Sequence, residues 1–205
     1  MRFYGEMNIY LVRHGETAEN AKGTYYGSMN VGLNKKGIAQ IETLSKFFNN
    51  VNIDKVYISD TKRAYETAKI ILSEKSMPLF RDERLKETSF GDFEGKTFEE
   101  LSKDYPKECQ LWVKDWKNFR PPNGETYMEM YERVSNFMDE LKEMSYDNVL
   151  VVTHSGVIKA ILCYVMDGNM DLFWKFACSN GDRVLIKYEY GNLYLDSITH
   201  ALLVD

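Results

Sequence analysis

The sequence has no apolar run of the roughly 20 residues that a membrane-spanning helix requires. Its first ten residues, MRFYGEMNIY, contain no apolar stretch and are interrupted by Glu6, so we expect no secretory signal peptide. Glycine numbers 13 and proline only 4 among 205 residues, which excludes collagen-like and low-complexity chains. With a hydrophobic content of 44%, the composition predicts a soluble globular protein with a substantial core.

The chain also has few cysteines, and its net charge is negative. Cys109, Cys163 and Cys178 form no CxxC pair, which excludes a disulfide framework and a zinc ribbon. Their odd number favours a reducing compartment, for which we expect the cytoplasm. The chain has 26 Lys and Arg against 31 Asp and Glu, a formal net charge of −5. Without a basic tract, nucleic acid and anionic membranes are excluded as partners, and any anion must be bound by a few converging groups.

Short apolar runs alternate with amphipathic segments, which is typical of an α/β fold. The predicted strands cover residues 8–12, 56–58, 148–153, 183–188 and 192–198. The run at 148–153 is continuously apolar, as in a central parallel strand, and the last two strands alternate like a hairpin at a sheet edge. The predicted helices follow Asn34 and Ser59-Asp60 and cover about 125–144 and 157–166. We therefore predict one domain, residues 1–205, built as a three-layer α/β/α sandwich with a mostly parallel sheet, an antiparallel edge and a helical insertion at about 87–144.

Two of the three histidines lie directly after predicted buried strands. His14 follows the first strand and His154 follows the run at 148–153. Adjacent parallel strands end at the same edge of a sheet, where open α/β folds build their sites, so we expect these two rings to lie close together. His200 follows an edge strand, and a structural role is the preferred interpretation for it. No histidine pair has the spacing of a helical zinc site, and no metal is predicted.

Five ordered sequence blocks, beginning with Arg-His-Gly after the first strand, carry the chemistry. The blocks are Arg13-His14-Gly15 with Asn20; Ser59-x-x-x-Arg63-Ala64-x-x-Thr67-Ala68; Leu85-x-Glu87-x-x-Phe90-Gly91-x-Phe93-Glu94-Gly95; Pro122-x-Gly124-Glu125; and Val152-Thr153-His154-Ser155-Gly156. In this order they resemble the histidine phosphatase superfamily, also called the phosphoglycerate mutase-like family. The resemblance extends from residue 9 to residue 158, and it implies that the insertion covers an active site.

The resemblance implies a phosphohistidine mechanism. His14 would attack phosphorus as a neutral imidazole, and Gly15 would leave room for the backbone to hold the other ring nitrogen. Glu87 matches the family's acid–base carboxylate, which protonates the leaving alkoxide and then takes a proton from water.

The other catalytic and binding residues implied by the resemblance form a phosphate pocket. Arg13 and Arg63 would clamp the phosphoryl oxygens, and His154 would complete a cationic pocket and stabilise charge on those oxygens. Asn20 matches a position that contacts phosphate. Ser155 stands where many relatives have glycine, and serine is tolerated there if its backbone is not left-handed.

Other conspicuous residues are predicted to be structural. Three glutamates of the blocks are expected to order loops by hydrogen bonding: Glu16, Glu94 and Glu125. The segment 91–97 imitates a phosphate-binding P-loop, but it has three residues rather than four between its glycines and acidic side chains among them. The insertion's Trp112, Trp116 and Phe119 are predicted to pack together, with a substrate-lining role of Trp116 as the alternative.

The blocks are similar to those of the short phosphatase branch of the family. The resemblance predicts a cofactor-independent and metal-independent hydrolase of a small phosphorylated metabolite, with α-ribazole 5′-phosphate, a precursor in cobalamin biosynthesis, as the first substrate candidate. A broad-specificity phosphatase, a phosphoglycerate mutase and a non-catalytic binding protein are the alternatives. The oligomeric state stays open between monomer and homodimer.

Overall fold

Strands from both halves of the chain form one mixed sheet in the computed structural model, which describes residues 6–73 and 75–201. In the described chain the strands are β1 (Met7–Arg13), β2 (Lys55–Ile58), β3 (Phe80–Arg81), β4 (Asn148–Thr153), β5 (Arg183–Glu189) and β6 (Asn192–Thr199). Their order is β3-β2-β4-β1-β5-β6. Neighbouring strands from β3 to β1 in this order pair in parallel. Strand β5 pairs antiparallel with β1 and with β6. The predicted mostly parallel sheet with an antiparallel edge is confirmed, and the run at 148–153 is its central strand.

Helices cover both faces of the sheet. They are α1 (Ala18–Lys22), α2 (Lys35–Phe48), α3 (Lys62–Ile71), α4 (Phe98–Asp104), α5 (Pro106–Lys114), α6 (Tyr127–Lys142) and α7 (Ser155–Val165), with 3₁₀ turns at Glu83–Leu85, Gly91–Phe93 and Met170–Lys175. Helix α2 begins as predicted, because the Asn34 side chain accepts a hydrogen bond from Gly37 N. Helix α7 begins two residues before the predicted Val157, since His154 has the extended conformation of an N-cap. No helix within residues 6–73 and 75–201 is long and apolar enough to cross a membrane.

Alternate residues of the central strands point to opposite sides of the sheet, which explains their continuous apolar run. Ile9 and Leu11 of β1 contribute to one core cluster, whereas Tyr10 and Val12 contribute to the other. The second cluster is closed by α2 and α3, and the first by α6 and α7. The three predicted layers are therefore present.

The insertion packs into the same core cluster as the sheet. Its Phe93 and Leu101 are fully buried, and Trp112 is nearly so, in the cluster that also contains residues of β1 and β4. Trp112 stacks on Phe119 with ring centroids 5.9 Å apart, which confirms the predicted packing of these two aromatic residues. The segment at Gly91 forms a 3₁₀ turn rather than a loop between a strand and a helix.

Candidate active site

The parallel pairing of β1 and β4 places the two histidines side by side. Arg13 is in register with Thr153, and His14 N donates to Thr153 O at 3.0 Å. The imidazole centroids of His14 and His154 are consequently 5.1 Å apart. The sequence prediction that both rings share one edge of the sheet is confirmed.

His14 is held in one tautomer. Its Nδ1 lies 2.8 Å from Gly15 O, and because a carbonyl oxygen can only accept, Nδ1 carries the hydrogen and Nε2 keeps its lone pair. The ring is 3% exposed, and this burial, followed by the charges of Arg63 and Arg13, holds its pKa well below the ordinary 6.5. His14 is therefore a neutral imidazole with a free nucleophilic nitrogen.

His154 is the opposite tautomer. Arg63 Nε donates to its Nδ1 at 3.3 Å, so the hydrogen is on Nε2, which lies 2.7 Å from Ser59 Oγ. Burial and the nearby Arg63 charge hold the pKa of His154 well below 6.5. This ring therefore adds no positive charge, and the expected cationic character comes from the arginines. A bound anion would act in the opposite direction, because it favours protonated imidazole.

Arg63 is fully buried, and its guanidinium is fixed by the backbone. Nη1 donates to Met29 O and Nη2 to Gly27 O, both at 2.8 Å, and the group lies 4.7 Å from the centroid of the Tyr26 ring. Among the described residues it has no carboxylate partner, so its charge stays available. Because Arg63 also lines the cleft, its guanidinium can form charge-assisted hydrogen bonds with an anion there.

Arg13 supplies the second guanidinium. Its Nη1 donates to Cys178 O at 2.6 Å, while Nε is buried without a hydrogen-bond partner in the described chain. An unsatisfied buried N–H is uncommon and costly. Because the side chain lines the same cleft as Arg63, the two arginines leave donor capacity for an anionic oxygen.

The turn that orients Arg63 is itself held by a predicted loop-ordering residue. Glu94 accepts backbone hydrogen bonds from Gly27 at 3.2 Å, Ser28 at 2.7 Å and Met29 at 3.0 Å. Its predicted structural role is confirmed. Glu94 thus fixes the carbonyl groups that aim the Arg63 guanidinium.

The remaining two glutamates also order loops as predicted. Glu16 accepts from Asn34 Nδ2 at 2.9 Å and pairs with Lys36 at 3.0 Å. Glu125 accepts from Ser89 N and pairs with Arg133.

The Glu87 carboxylate lies against the N-terminus of α7 and lines the cleft. Its Oε2 accepts from Gly156 N and its Oε1 from Thr88 N, each at 3.0 Å. A side chain at position 156 would put a Cβ 2.2 Å from Glu87 Oε1, so only glycine lets the carboxylate rest against the helix. The structure thereby gives a physical reason for Gly156, which the sequence analysis identified only as part of a motif.

Asn20 and Ser155 also reach the cleft. Asn20 Oδ1 accepts from Tyr26 Oη at 2.8 Å and from Asn180 Nδ2 at 3.1 Å, which fixes its amide. Ser155 is the first residue of α7 and does not have a positive φ, so the condition for tolerating serine is met.

One cleft of about 240 Å³ collects all seven predicted site residues: Arg13, His14, Asn20, Arg63, Glu87, His154 and Ser155. His200 pairs instead with the buried Asp182 at 2.8 Å, in line with its structural interpretation. Among the described residues no cluster of His, Cys, Asp or Glu could hold a metal ion.

The opposite wall of the cleft is aromatic and was missed by sequence reasoning. It consists of Tyr25, Phe90, Tyr127, Phe173 and Trp174, with Lys159 of α7 beside them. Trp116 lies behind this wall, with its ring centroid 5.3 Å from that of Phe173 and 5.4 Å from that of Trp174. Phe90 belongs to the third sequence block, but the other four residues come from separate segments without a motif. The high aromatic content of the insertion could signal only Phe90 and Tyr127, because Tyr25, Phe173 and Trp174 lie outside it.

The chain was compared with known proteins. The family model for the histidine phosphatase superfamily (branch 1) matches residues 9–200. The adenosylcobalamin/alpha-ribazole phosphatase of Escherichia coli K12 is 32% identical over 176 residues, which are 85% of this chain and 87% of that protein. A putative phosphoserine phosphatase 2 of Hydrogenobacter thermophilus is 31% identical over 196 residues, 94% and 97% of the two chains.

Solved structures agree with these relatives. The alpha-ribazole phosphatase of Shigella flexneri superimposes with a TM-score of 0.91 and 30% identity, over 95% of this chain and 97% of that one. The family match over residues 9–200 includes all five sequence blocks, and the shared fold covers 95% of this chain. The protein belongs to the histidine phosphatase superfamily, branch 1.

Proposed function

We propose that this protein is a metal-independent phosphomonoesterase that forms a phosphohistidine on His14. A phosphatase role is supported by the family and by the relatives named as phosphatases. The observation that carries the mechanism is the Nδ1–H to Gly15 O hydrogen bond, which leaves Nε2 unprotonated beside two guanidinium groups without carboxylate partners.

In the first step His14 Nε2 attacks phosphorus, and the bond from phosphorus to the ester oxygen breaks. Glu87, in its protonated form, gives its proton to the leaving oxygen. In the second step the Glu87 carboxylate takes a proton from water as the water oxygen attacks the phosphohistidine, and the nitrogen–phosphorus bond breaks. The sum is an ester plus water giving an alcohol plus inorganic phosphate.

The positive groups stabilise the transferred phosphoryl group. Arg13 and Arg63 place positive charge beside its oxygens, next to the buried rings of His14 and His154, and each hydrogen bond counts for more in such a buried site. Preorganisation comes from the backbone, since Arg63 is already fixed by two carbonyl groups. Asn20 and Ser155 line the same pocket and complete the proposed phosphate site.

The test is to trap the intermediate. Protein mixed with a phosphomonoester in EDTA is quenched in alkali, and His14 is expected to carry an acid-labile, alkali-stable phosphate in a peptide map. His14→Ala should lower phosphate release by at least about a thousandfold and abolish the label. His200→Gln is the matched control and should keep both. Undiminished release by His14→Ala, or complete loss of release in EDTA, would overturn the mechanism.

The substrate prediction of α-ribazole 5′-phosphate stays a prediction. It is supported by the relatives of that name at 32% identity and by the aromatic wall, against which a planar base could stack. A phosphorylated amino acid is the second candidate, because relatives at 31% and 29% identity are named phosphoserine phosphatases and because Lys159 adds a cation to the cleft.

A panel assay compares these candidates. Phosphate release is measured from α-ribazole 5′-phosphate, phosphoserine, 3-phosphoglycerate, sugar phosphates and nucleotides. A strong preference for one compound identifies the substrate class, and flat rates support a broad-specificity phosphatase. Interconversion of phosphoglycerates that exceeds phosphate release would replace the proposed hydrolase with a mutase.

A further inference from the structure

The side chain of Arg13 is held by a single carbonyl group. Its hydrogen bond from Nη1 to Cys178 O, 2.6 Å long, is the only one that the side chain forms within the described residues. Arg63, by contrast, donates to two carbonyl groups and to an imidazole nitrogen. The orientation of the Arg13 guanidinium therefore depends on the direction in which the Cys178 carbonyl points.

A buried carboxylate holds the other side of the same peptide group. Asp182 is fully buried, and its Oδ2 accepts a hydrogen bond from Ser179 N at 2.5 Å. Cys178 O and Ser179 N belong to one planar trans peptide group, in which the C=O and N–H bonds point in opposite directions. Fixing the N–H of this group at Asp182 therefore fixes its carbonyl oxygen toward Arg13.

The rest of the turn at residues 179–182 is built around this carboxylate. Asp182 N donates to Ser179 O at 3.1 Å, and Gly181 has the positive φ, 80°, that the third position of a type II turn requires. Asp182 Oδ1 accepts from Ala201 N at 2.9 Å, and Oδ2 also lies 2.8 Å from His200 Nδ1. Asp182 does not line the cleft, so its carboxylate reaches the proposed phosphate site only through the turn.

The backbone of Arg13 is held independently of that carboxylate. Arg13 N donates to Asp182 O at 3.1 Å, and Gly181 N donates to Arg13 O at 3.2 Å. These bonds involve only main-chain atoms, and β1 also pairs with β4 and β5. Loss of the Asp182 side chain is therefore expected to free the guanidinium of Arg13 while its backbone stays in place.

We infer that Asp182 is a positioning residue for the proposed phosphate site, because it fixes the peptide group whose carbonyl orients Arg13 toward the phosphoryl group. The inference rests on the proposed phosphatase function. An N–H group left without an acceptor in the interior is costly. Without the carboxylate, the peptide group between Cys178 and Ser179 would turn to find another partner, and its carbonyl would leave the Arg13 guanidinium.

The test measures the dissociation constant of inorganic phosphate by titration calorimetry. Asp182→Leu, which has a similar size but no acceptor, should raise this constant about tenfold, the effect of one charge-assisted hydrogen bond. Asp182→Asn should keep most of the affinity, because its amide oxygen can still accept from Ser179 N. Asp182→Ser, whose hydroxyl is one bond too short to reach Ser179 N, has the same expected result as Asp182→Leu and replaces it if that variant does not fold.

An Arg13→Met background separates the orientation of Arg13 from general damage to the site. In this background Asp182→Leu should leave the dissociation constant of phosphate unchanged, because the side chain that Asp182 orients is already absent. A merely structural role of Asp182 would lower the affinity equally in both backgrounds.

Asp196→Leu is the matched control, because Asp196 is an exposed residue of β6 that pairs with Lys187. It removes the same charge and should bind phosphate like the unaltered protein. An unchanged dissociation constant for Asp182→Leu, or an equal loss of affinity with and without Arg13, would overturn the inference and leave the phosphatase function standing. An unaltered protein that neither binds inorganic phosphate nor releases it from a phosphomonoester would overturn the proposed function, and the inference with it.

Discussion

At the scale of single residues, the two cleft histidines do different work because their hydrogen bonds differ. Gly15 O takes the Nδ1 hydrogen of His14, whereas Arg63 Nε occupies Nδ1 of His154. Both pKa values lie below the ordinary 6.5, chiefly because the rings are buried. A neutral ring at His14 favours its role as a nucleophile. The low pKa values of both rings also make the free energy of unfolding depend on pH.

Stability is expected to fall as the pH falls below 6.5. Unfolded histidines take up protons there while the buried rings do not, so the unfolded state binds more protons and the free energy of unfolding decreases. Between pH 6.5 and 5.5 the two rings together should remove up to about 2 kcal/mol. Urea unfolding at both pH values measures the loss, and His154→Asn should halve it. An equal free energy of unfolding at the two pH values would contradict neutral buried histidines.

Gly156 is expected to be required for activity although it lies in a helix. Alanine normally stabilises a helix relative to glycine by about 1 kcal/mol, but here its Cβ would lie 2.2 Å from Glu87 Oε1. Gly156→Ala should therefore displace the proposed acid–base group and lower kcat about a hundredfold. The control is the same substitution in a Glu87→Gln protein, measured by steady-state kinetics. There Gly156→Ala should lower kcat little further, because the carboxylate that it displaces is already absent. Equal losses in both backgrounds would show that Gly156 acts elsewhere.

At the scale of structural elements, the turn at residues 27–29 links a distant carboxylate to the proposed phosphate site. The Glu94 carboxylate accepts hydrogen bonds from three successive N–H groups of this turn. Two carbonyl groups of the same turn accept hydrogen bonds from the Arg63 guanidinium. The charge of Glu94 also raises the pKa of Arg63, although burial has the larger effect and lowers it. The position of Arg63 therefore depends on a residue of the insertion.

Glu94→Ala should weaken anion binding without removing a cleft residue. Freeing the turn is expected to cost about 1–3 kcal/mol of stability and to raise the inhibition constant of inorganic phosphate about tenfold. Competitive inhibition assays measure that constant. Glu99→Ala is the matched control, since Glu99 is an exposed partner of Lys103 and its loss should change neither quantity. An unchanged inhibition constant for Glu94→Ala would mean that Arg63 is held without the turn.

At the scale of the whole molecule, the insertion and the sheet share one apolar cluster. Phe93 is fully buried there, with its ring centroid 5.0 Å from that of Tyr105 and 5.8 Å from that of Trp112. Phe90, Tyr127 and Phe173 belong to this cluster and also line the cleft. From this shared cluster and the predicted single domain, we expect the insertion and the sheet to unfold cooperatively.

Tryptophan fluorescence and far-UV circular dichroism are expected to report one unfolding transition. The three tryptophans, Trp112, Trp116 and Trp174, lie in the insertion and beside the cleft, whereas circular dichroism reports all helices and strands. Phe93→Ala should lower the free energy of unfolding by about 3–5 kcal/mol and move both curves together. Separate midpoints for the two probes would show that the insertion unfolds by itself.

The sequence was most informative where chemistry and secondary structure coincide. His14 and His154 were recognisable because each follows an apolar strand, and parallel pairing of those strands brings them together. Helix α2 was recognisable from its apolar spacing and its Asn34 cap. The start of α7 was misplaced by two residues, because an extended His154 that caps the helix gives no signal in a propensity pattern.

By itself the sequence predicted the layered fold, the order of the motif blocks and seven candidate site residues, which the structure places in one cleft, since these depend on local periodicity and on short motifs. Only the tertiary structure decided the tautomer of His154, the dependence of Arg63 on Glu94, and the aromatic wall with Lys159. Those features depend on contacts between residues that are distant along the chain. Tertiary packing brings these residues together, and no local pattern encodes those contacts.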